Sequence, residues 1–117
     1  MHVMKLKPEP FSLIESGAKI YELRLFDEKR KRIKIGDIIE FICVDDQSKK
    51  LMVKVVDLKR YSSFIDLYAD LSPLEIGYTA SNLHLANPKD MEKYYTKEQI
   101  ASFGVLAIKI CKITACN

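Results

Sequence analysis

Residues 17–41 constrain the fold of this chain more than any other stretch. Gly17 is placed to end a short helix, and a strand with alternating apolar and charged side chains follows it. A run of basic residues and a Gly36-Asp37 turn then lead into a second alternating strand. Because a period of two puts successive side chains on opposite faces of a sheet, one face of these strands can form a core while the other carries charge.

The rest of the chain continues this pattern of short strands and short helices. Apolar alternation predicts five strands, over residues 3–7, 20–26, 38–44, 51–58 and 105–113. Helical spacing and capping residues predict three short helices, over residues 9–16, 64–71 and 97–102. Thr96 is the N-cap expected for the last of them, with Gln99 completing a capping box. Further short helical segments are expected at Ser72-Pro73 and over residues 90–95.

This order of elements predicts an α+β fold. Short strands with one buried face, together with helices that can cover the ends of a sheet, favour a small mixed β-barrel. A parallel Rossmann sheet is not expected, because the sequence has neither a repeated βαβ pattern nor a glycine-rich fingerprint. The 117 residues are expected to form a single domain over 1–117.

The cysteines argue against a disulfide framework or a zinc site. Cys43, Cys111 and Cys116 are odd in number and form no CxxC pair. Cys43 and Cys111 lie in apolar strand patterns and are expected to be small core residues in a reducing compartment. No metal and no cofactor are expected.

Neither a secretory signal nor a membrane span is predicted. The first residues contain no apolar signal segment, and no apolar run approaches the roughly 18 residues that cross a bilayer. The expected location is therefore the cytoplasm, without a membrane partner, and the expected form is a monomer or a weak homodimer.

Positive charge is concentrated in the first half of the chain. Residues 1–60 contain 14 Lys and Arg against 10 Asp and Glu, whereas residues 61–117 contain 5 against 6. Four consecutive cations supply much of the excess: Lys29, Arg30, Lys31 and Arg32. Such a run can contact the phosphates of a nucleic acid. It can equally be a solubilising loop between two strands, and the sequence leaves both interpretations open.

Lys19, Glu22 and Arg24 form the first candidate site. Glu22 and Arg24 are two residues apart on a predicted strand and share one face, and Lys19 lies just after the helix end. A carboxylate can act as a general base, or it can accept a hydrogen bond from the amino group of a nucleobase. A guanidinium can pair with phosphate. The alternative is a plain salt bridge between Glu22 and Arg24 at the rim of the barrel.

Glu92, Tyr94 and Tyr95 form the second candidate site. Two adjacent tyrosines before a helix start can turn one ring to the core and the other to solvent, where it could stack on a nucleobase. The alternative is that both rings are packing residues.

The motif Gly17-x-Lys19-x-x-Glu22-x-Arg24 resembles the G-x-K-x-x-E-x-R signature of the ASCH domain, the activating-signal-cointegrator homology domain of the PUA-like superfamily. The stretch from Ile35-Gly36-Asp37 to Phe41 resembles the next strand of that family. Tyr94-Tyr95-x-x-Glu98 and the segment 103–108 resemble its closing helix and strand. The resemblance extends over nearly the whole chain, in the expected order.

The resemblance implies a PUA-like β-barrel whose cleft holds the signature residues and binds RNA. Some small bacterial relatives are amidohydrolases of N4-acetylcytidine, and others have been described as ribonucleases. By position, Lys19 corresponds to the lysine of the deacetylating enzymes, and Glu92 is the candidate for their glutamate. Glu22 stands where those enzymes have a threonine, so this chain lacks the nucleophilic hydroxyl.

Three functions follow from these patterns. The first is a module that binds RNA, a nucleobase or a nucleotide through Lys19, Glu22 and Arg24, with a tyrosine stacking and the basic run adding affinity. The second is a metal-independent hydrolase of a modified nucleoside or of RNA, in which Lys19 holds the substrate and Glu22 or Glu92 moves protons. The third is a protein-interaction adaptor with a vestigial cleft.

Overall fold

The computed structural model of the chain describes residues 1–114. The five strands are β1 (His2–Leu6), β2 (Tyr21–Leu25), β3 (Ile38–Cys43), β4 (Lys50–Tyr61) and β5 (Val105–Lys112). The three α-helices are α1 (Pro8–Glu15), α2 (Phe64–Asp70) and α3 (Lys97–Phe103). Single 3₁₀ segments occur at Arg30–Arg32, Leu83–Leu85 and Pro88–Lys93.

The strands form one mixed sheet in the order β1-β3-β4-β5-β2. β1 and β3 run parallel, and every other neighbouring pair is antiparallel. The ladder between β4 and β5 shifts register between Val55 and Asp57, an irregularity that bends strands and increases their twist. β4 is also three residues longer at its end than the alternation predicts, because Lys59, Arg60 and Tyr61 pair with the start of β5.

The sheet curls into a half-barrel, so that its two outer strands face each other. Arg24 of β2 donates a hydrogen bond from Nη2 to the Lys5 carbonyl of β1 at 3.1 Å, although the two strands lie at opposite ends of the strand order. A seam is left between β1 and β2. The predicted mixed barrel with helices at its ends is therefore confirmed as an open, five-stranded α+β structure.

Each face of the half-barrel has its own core. The inner core collects alternate residues of all the strands except β2, such as Phe41 and Ile108, and α1 covers it with Phe11 and Ile14. The outer core packs α2 against β2 and β5, as the spacing predicts; its β2 members are Tyr21, Leu23 and Leu25. Glu22 and Arg24 consequently point to the inner side of the sheet.

Local signals fix the helix ends. Ser63 accepts a hydrogen bond from the Asp66 amide at the start of α2, and the predicted capping box between Thr96 and Gln99 is present at the start of α3. The helix expected at Ser72-Pro73 is wrong, since this segment forms a turn. The Glu75 carbonyl of that turn accepts hydrogen bonds from the amides at the start of β2, which ties the turn to the sheet.

One cysteine prediction is confirmed and another is wrong. Cys43 is a free thiol buried in the inner core. Cys111 is disulfide-bonded, contrary to the expected reduced thiols, and it is only half-buried, so it is not the small core residue that its apolar neighbours indicated. Cys116 lies outside the described residues. Within residues 1–114, no helix is both long enough and apolar enough to cross a membrane.

Candidate functional site

A cavity of about 660 Å³ opens at the seam of the half-barrel. Lys5, Leu6 and Lys7 form one of its walls at the end of β1. The opposite wall is formed by β2 and the segment just before it, with Lys19, Glu22 and Arg24. The segment from Ile76 to Tyr95 closes the third side with several polar and aromatic side chains: Tyr78, Asn82, Asp90, Lys93, Tyr94 and Tyr95. Concave sites with a few converging polar groups are the usual form of ligand-binding pockets.

Lys19, Glu22 and Arg24 form one connected network in the cavity wall. Lys19 Nζ donates to Glu22 Oε1 at 2.9 Å, and Arg24 Nε donates to Glu22 Oε2 at 2.8 Å. Glu22 is only 4% exposed and Lys19 only 9%. The first candidate site is thus a network of three charges in which Glu22 and Lys19 are buried and Arg24 is half-buried, and it includes the salt bridge between Glu22 and Arg24.

The ionisation of Glu22 is set by its two partners. Burial by itself raises the pKa of a carboxyl group, but the nearby charges of Lys19 and Arg24 and their hydrogen bonds outweigh it, so the pKa of Glu22 lies below its ordinary value. Both carboxylate oxygens already accept from cations. Glu22 is therefore ionised and bound on both sides, and it fixes the positions of Lys19 and Arg24.

Gly77 allows the turn after α2 to pack directly on Lys19. Its φ of +119° lies in the region that favours glycine, and a Cβ atom there would lie 3.3 Å from Lys19 Cδ. With the turn also bonded to the start of β2 through the Glu75 carbonyl, the stem of Lys19 is held between the turn and the sheet. The ammonium group consequently has little freedom to leave Glu22.

The two tyrosines have different surroundings, as the sequence indicated. Tyr95 packs in the outer core, where its ring stacks on Phe64 with 6.1 Å between centroids, and burial raises the pKa of its hydroxyl. Tyr94 is 54% exposed, and Lys7 Nζ lies 5.4 Å from its ring centroid. Both rings line the cavity, and Tyr94 presents the more accessible face.

Sequence reasoning missed a hydrogen-bonded chain on the third wall. Tyr78 donates to Asp90 Oδ2 at 2.6 Å, and its hydroxyl oxygen lies 2.8 Å from the Tyr68 hydroxyl. Burial and the Asp90 hydrogen bond together raise the pKa of Tyr78. The sequence offered no signal for this cluster, because the segment over residues 77–89 has no periodicity and Asp90 reads as a solvated helix charge.

Other predicted site residues lie elsewhere. Glu92 is not among the residues that line the cavity; it faces Lys97, with 3.8 Å between Glu92 Oε1 and Lys97 Nζ. The basic run also stays away from the cavity: Lys29, Arg30, Lys31 and Arg32 follow the far end of β2. Two of these cations form local ion pairs, Arg30 with Asp27 at 3.0 Å and Lys31 with Glu28 at 3.0 Å.

No group of three or more His, Cys, Asp or Glu side chains suited to a metal ion occurs within residues 1–114. Three charged groups of the cavity are joined to one another, Lys19 and Arg24 each to Glu22. What the cavity presents to a ligand is therefore a set of hydrogen-bond donors on cations, one aromatic face and the Tyr78–Asp90 pair.

Comparison with known families decides the classification. The family model described as the ASCH domain matches residues 4–114. The chain belongs to the ASCH domain family. The resemblance based on Lys19, Glu22 and Arg24 is confirmed, and because the match spans nearly the whole chain, the cavity lies within the ASCH domain itself. ASCH domains are in general thought to bind RNA, and a hydrolytic activity has also been considered for them.

Solved structures show the same architecture. The crystal structure of the hypothetical protein PH0355 superposes with a TM-score of 0.79 at 35% identity, over 95% of this chain and 97% of that one. Protein PF0455 from Pyrococcus furiosus, solved by NMR in solution, gives a TM-score of 0.70 at 30% identity, over 96% of each chain. The S128A mutant of ZmASCH from Zymomonas mobilis gives 0.61 at 15% identity, over 94% of this ASCH domain and 66% of that chain. The expected PUA-like fold is thereby confirmed. A separate comparison with curated proteins found no match.

Proposed function

We propose that the cavity of this ASCH domain binds one nucleotide unit of an RNA chain, or a free nucleotide of the same chemistry. The observation that carries the proposal is the buried network in which Glu22 holds Lys19 and Arg24 in the cavity wall. Fixed donors in a concave site bind ligand acceptors without first having to be ordered.

The charge of the network favours an anionic or carbonyl-rich ligand. Two cations and one carboxylate leave a net positive charge, and Glu22 has no oxygen without a partner. The N–H groups of Lys19 and Arg24 that do not face Glu22 or Lys5 are donors, so their partners must be acceptors. Phosphate oxygens and base carbonyls are the acceptors that RNA supplies.

The exposed ring of Tyr94 supports a base beside this network. Stacking of a base on an aromatic side chain is worth roughly 1–3 kcal/mol and depends little on sequence. Lys7 lies over the same ring and can meet the phosphate of a stacked nucleotide. A base at Tyr94 with its backbone toward Lys7 and Arg24 uses all three walls of the cavity.

Hydrolysis of an RNA-derived substrate is a second candidate, and the observation that favours it is Asp90. Asp90 lines the cavity and accepts a hydrogen bond from a neutral hydroxyl, whereas Glu22 is held by two cations. A general base needs a carboxylate that can take up a proton. In a hydrolytic reaction Asp90 would therefore activate water, and Lys19 would polarise the bond that is cleaved.

Binding of short fluorescent RNAs by a series of cavity variants tests the first proposal. Tyr94→Ala removes the exposed ring without opening a core, so it should weaken binding by about fivefold or more. Lys19→Met removes the buried ammonium and should weaken binding by at least about tenfold, because a charged hydrogen bond is lost.

Lys54→Met is the matched control, since Lys54 is an exposed cation of β4 that does not line the cavity. Its affinity should stay within about twofold of the parent protein. Equal affinities for the parent, Tyr94→Ala and Lys19→Met would contradict the proposal and leave an adaptor function.

For hydrolysis, product chromatography of N4-acetylcytidine and of RNA should show turnover that Asp90→Asn abolishes.

A further inference from the structure

A second concavity lies at the opposite end of β2. This basal groove has a volume of about 490 Å³ and is lined by the end of β2, the end of β4 and the end of α3, chiefly by Phe26, Arg60, Ser62, Ser102, Phe103 and Gly104. It shares no lining residue with the cavity at the seam. Any ligand in the basal groove is therefore held independently of Lys19 and Glu22.

Arg60 is fixed in the basal groove by a ring and not by a charge. Its guanidinium carbon lies 3.9 Å from the ring centroid of Phe26. Within residues 1–114, the side chain of Arg60 forms no ion pair and no hydrogen bond, and the residue is exposed. A stacked guanidinium keeps its planar fork of N–H donors free, which is the geometry that pairs with phosphate.

An exposed aromatic ring lies in the same groove. Phe103, the last residue of α3, is 41% exposed although it is large and apolar. Lys31 adds a second cation, with its Nζ 5.7 Å from the centroid of Phe26. The last carbonyls of α3 carry partial negative charge. A bound phosphate is therefore expected on the side of Arg60 and Lys31, with the uncharged part of the ligand against Phe103.

We propose that the basal groove binds a nucleotide of a single-stranded nucleic acid, with the base on Phe103 and the phosphate on Arg60. Cations interleaved with exposed aromatic rings are the common arrangement in proteins that bind single strands. The basic run begins just after Phe26, so the strand can continue onto Arg32 and Lys29, two exposed cations without an ion pair among residues 1–114. This site is separate from the function proposed for the cavity.

Fluorescence anisotropy with a labelled ten-nucleotide uridine RNA tests the basal groove. Arg60→Ala should weaken binding several-fold, and the slope of log affinity against log salt should fall in magnitude by about 0.7. Phe103→Ala should weaken binding by about fivefold or more, because one stacked base is lost. Ser102→Glu adds a negative charge without removing a packing contact, and it should weaken binding as strongly as Arg60→Ala.

Lys54→Ala is the matched control, since it removes one exposed cation from the same strand, β4, outside the groove. Arg60→Ala and Ser102→Glu binding as tightly as Lys54→Ala would overturn the proposal. Lys19→Met separates the two sites. If only Lys19→Met loses RNA affinity, the proposal for the basal groove is refuted and the proposal for the cavity stands. If only Arg60→Ala and Ser102→Glu lose RNA affinity, the proposal for the cavity is refuted and the proposal for the groove stands.

Discussion

Two ion pairs near the two ends of β2 have the same spacing and almost the same length, but opposite surroundings. Lys19 and Glu22 are three residues apart and lie 2.9 Å from each other, with side chains 10% and 6% exposed. Glu28 and Lys31 are also three residues apart, at 3.0 Å, with side chains 83% and 46% exposed. Only the first pair is covered by other parts of the protein, so burial, and not sequence spacing, distinguishes a fixed site from a solvated surface.

The same contrast applies to how each region would hold a ligand. In the cavity, three charges are already joined, so a ligand meets an ordered set of donors. At the basal end, the cations are exposed to solvent, so their attraction for phosphate is screened by salt. The cavity is suited to selecting a ligand, and the basic end is suited to holding any strand that approaches it.

The largest effect is expected from Glu22→Gln. This change keeps the shape of the side chain but leaves the buried Lys19 and the half-buried Arg24 without a negative charge. Breaking a buried pair in this way typically costs about 3–5 kcal/mol of unfolding free energy. Urea denaturation followed by circular dichroism measures it. The matched variant Glu28→Gln removes a charge with the same spacing from the exposed pair and should leave stability unchanged; equal losses in the two variants would erase the distinction between the two ends.

The pH dependence of stability sharpens the comparison. Because the pKa of Glu22 is lowered in the folded state, its ionised form stabilises the protein above the ordinary value of 4.5, and this contribution is lost as pH falls further. The difference in unfolding free energy between the parent and Glu22→Gln should therefore narrow from pH 7 to pH 3. Asp37 and Asp46 also have lowered pKa values, but both proteins contain them, so they cancel. A constant difference would show that Glu22 is not ionised in the fold.

Gly77→Ala should have an intermediate effect. Gly77 and Gly36 both have positive φ, so alanine at either position costs about 1–3 kcal/mol of stability through strain. Only Gly77 is close to Lys19, whereas a Cβ on Gly36 would meet nothing within 4 Å. Gly77→Ala should therefore also weaken RNA binding, and Gly36→Ala should not. RNA titrations that give identical affinities for both variants would mean that the turn does not position Lys19.

The smallest effect is expected from Arg32→Ala at the basic end. Arg32 is exposed and has no ion pair among residues 1–114. Its loss should leave stability unchanged and reduce the salt slope of RNA binding by about 0.7, the contribution of one phosphate contact on a single strand. Titrations between 50 and 200 mM salt measure this slope. An unchanged slope would assign the basic run to solubility alone.

Local patterns predicted the elements of this ASCH domain well, because their causes are local. The alternation around Glu22 gave β2 its two faces, and Thr96 with Gln99 marked the start of α3. The prediction failed where long-range contacts decide. Ser72-Pro73 could begin a helix, but the segment forms a turn because the Glu75 carbonyl accepts hydrogen bonds from the amides at the start of β2.

The candidate site was predicted only in part for the same reason. Lys19, Glu22 and Arg24 share one short stretch, so their proximity follows from strand geometry. Tyr78 and Asp90 are hydrogen-bonded across an irregular segment whose sequence has no hydrophobic periodicity, so their proximity could not be predicted. The two partners of Glu22 also contact segments that are far away in sequence, Lys19 the turn at Gly77 and Arg24 the strand β1.

The hydrogen bond from Arg24 to the Lys5 carbonyl joins β2 to β1 across the seam of the half-barrel. Since Arg24 also lines the cavity, a ligand that accepts hydrogen bonds from its guanidinium competes with the Lys5 carbonyl. The stability of β1 is thus coupled to binding in the cavity. Hydrogen exchange at the amides of β1 should therefore report whether an unlabelled ligand is bound.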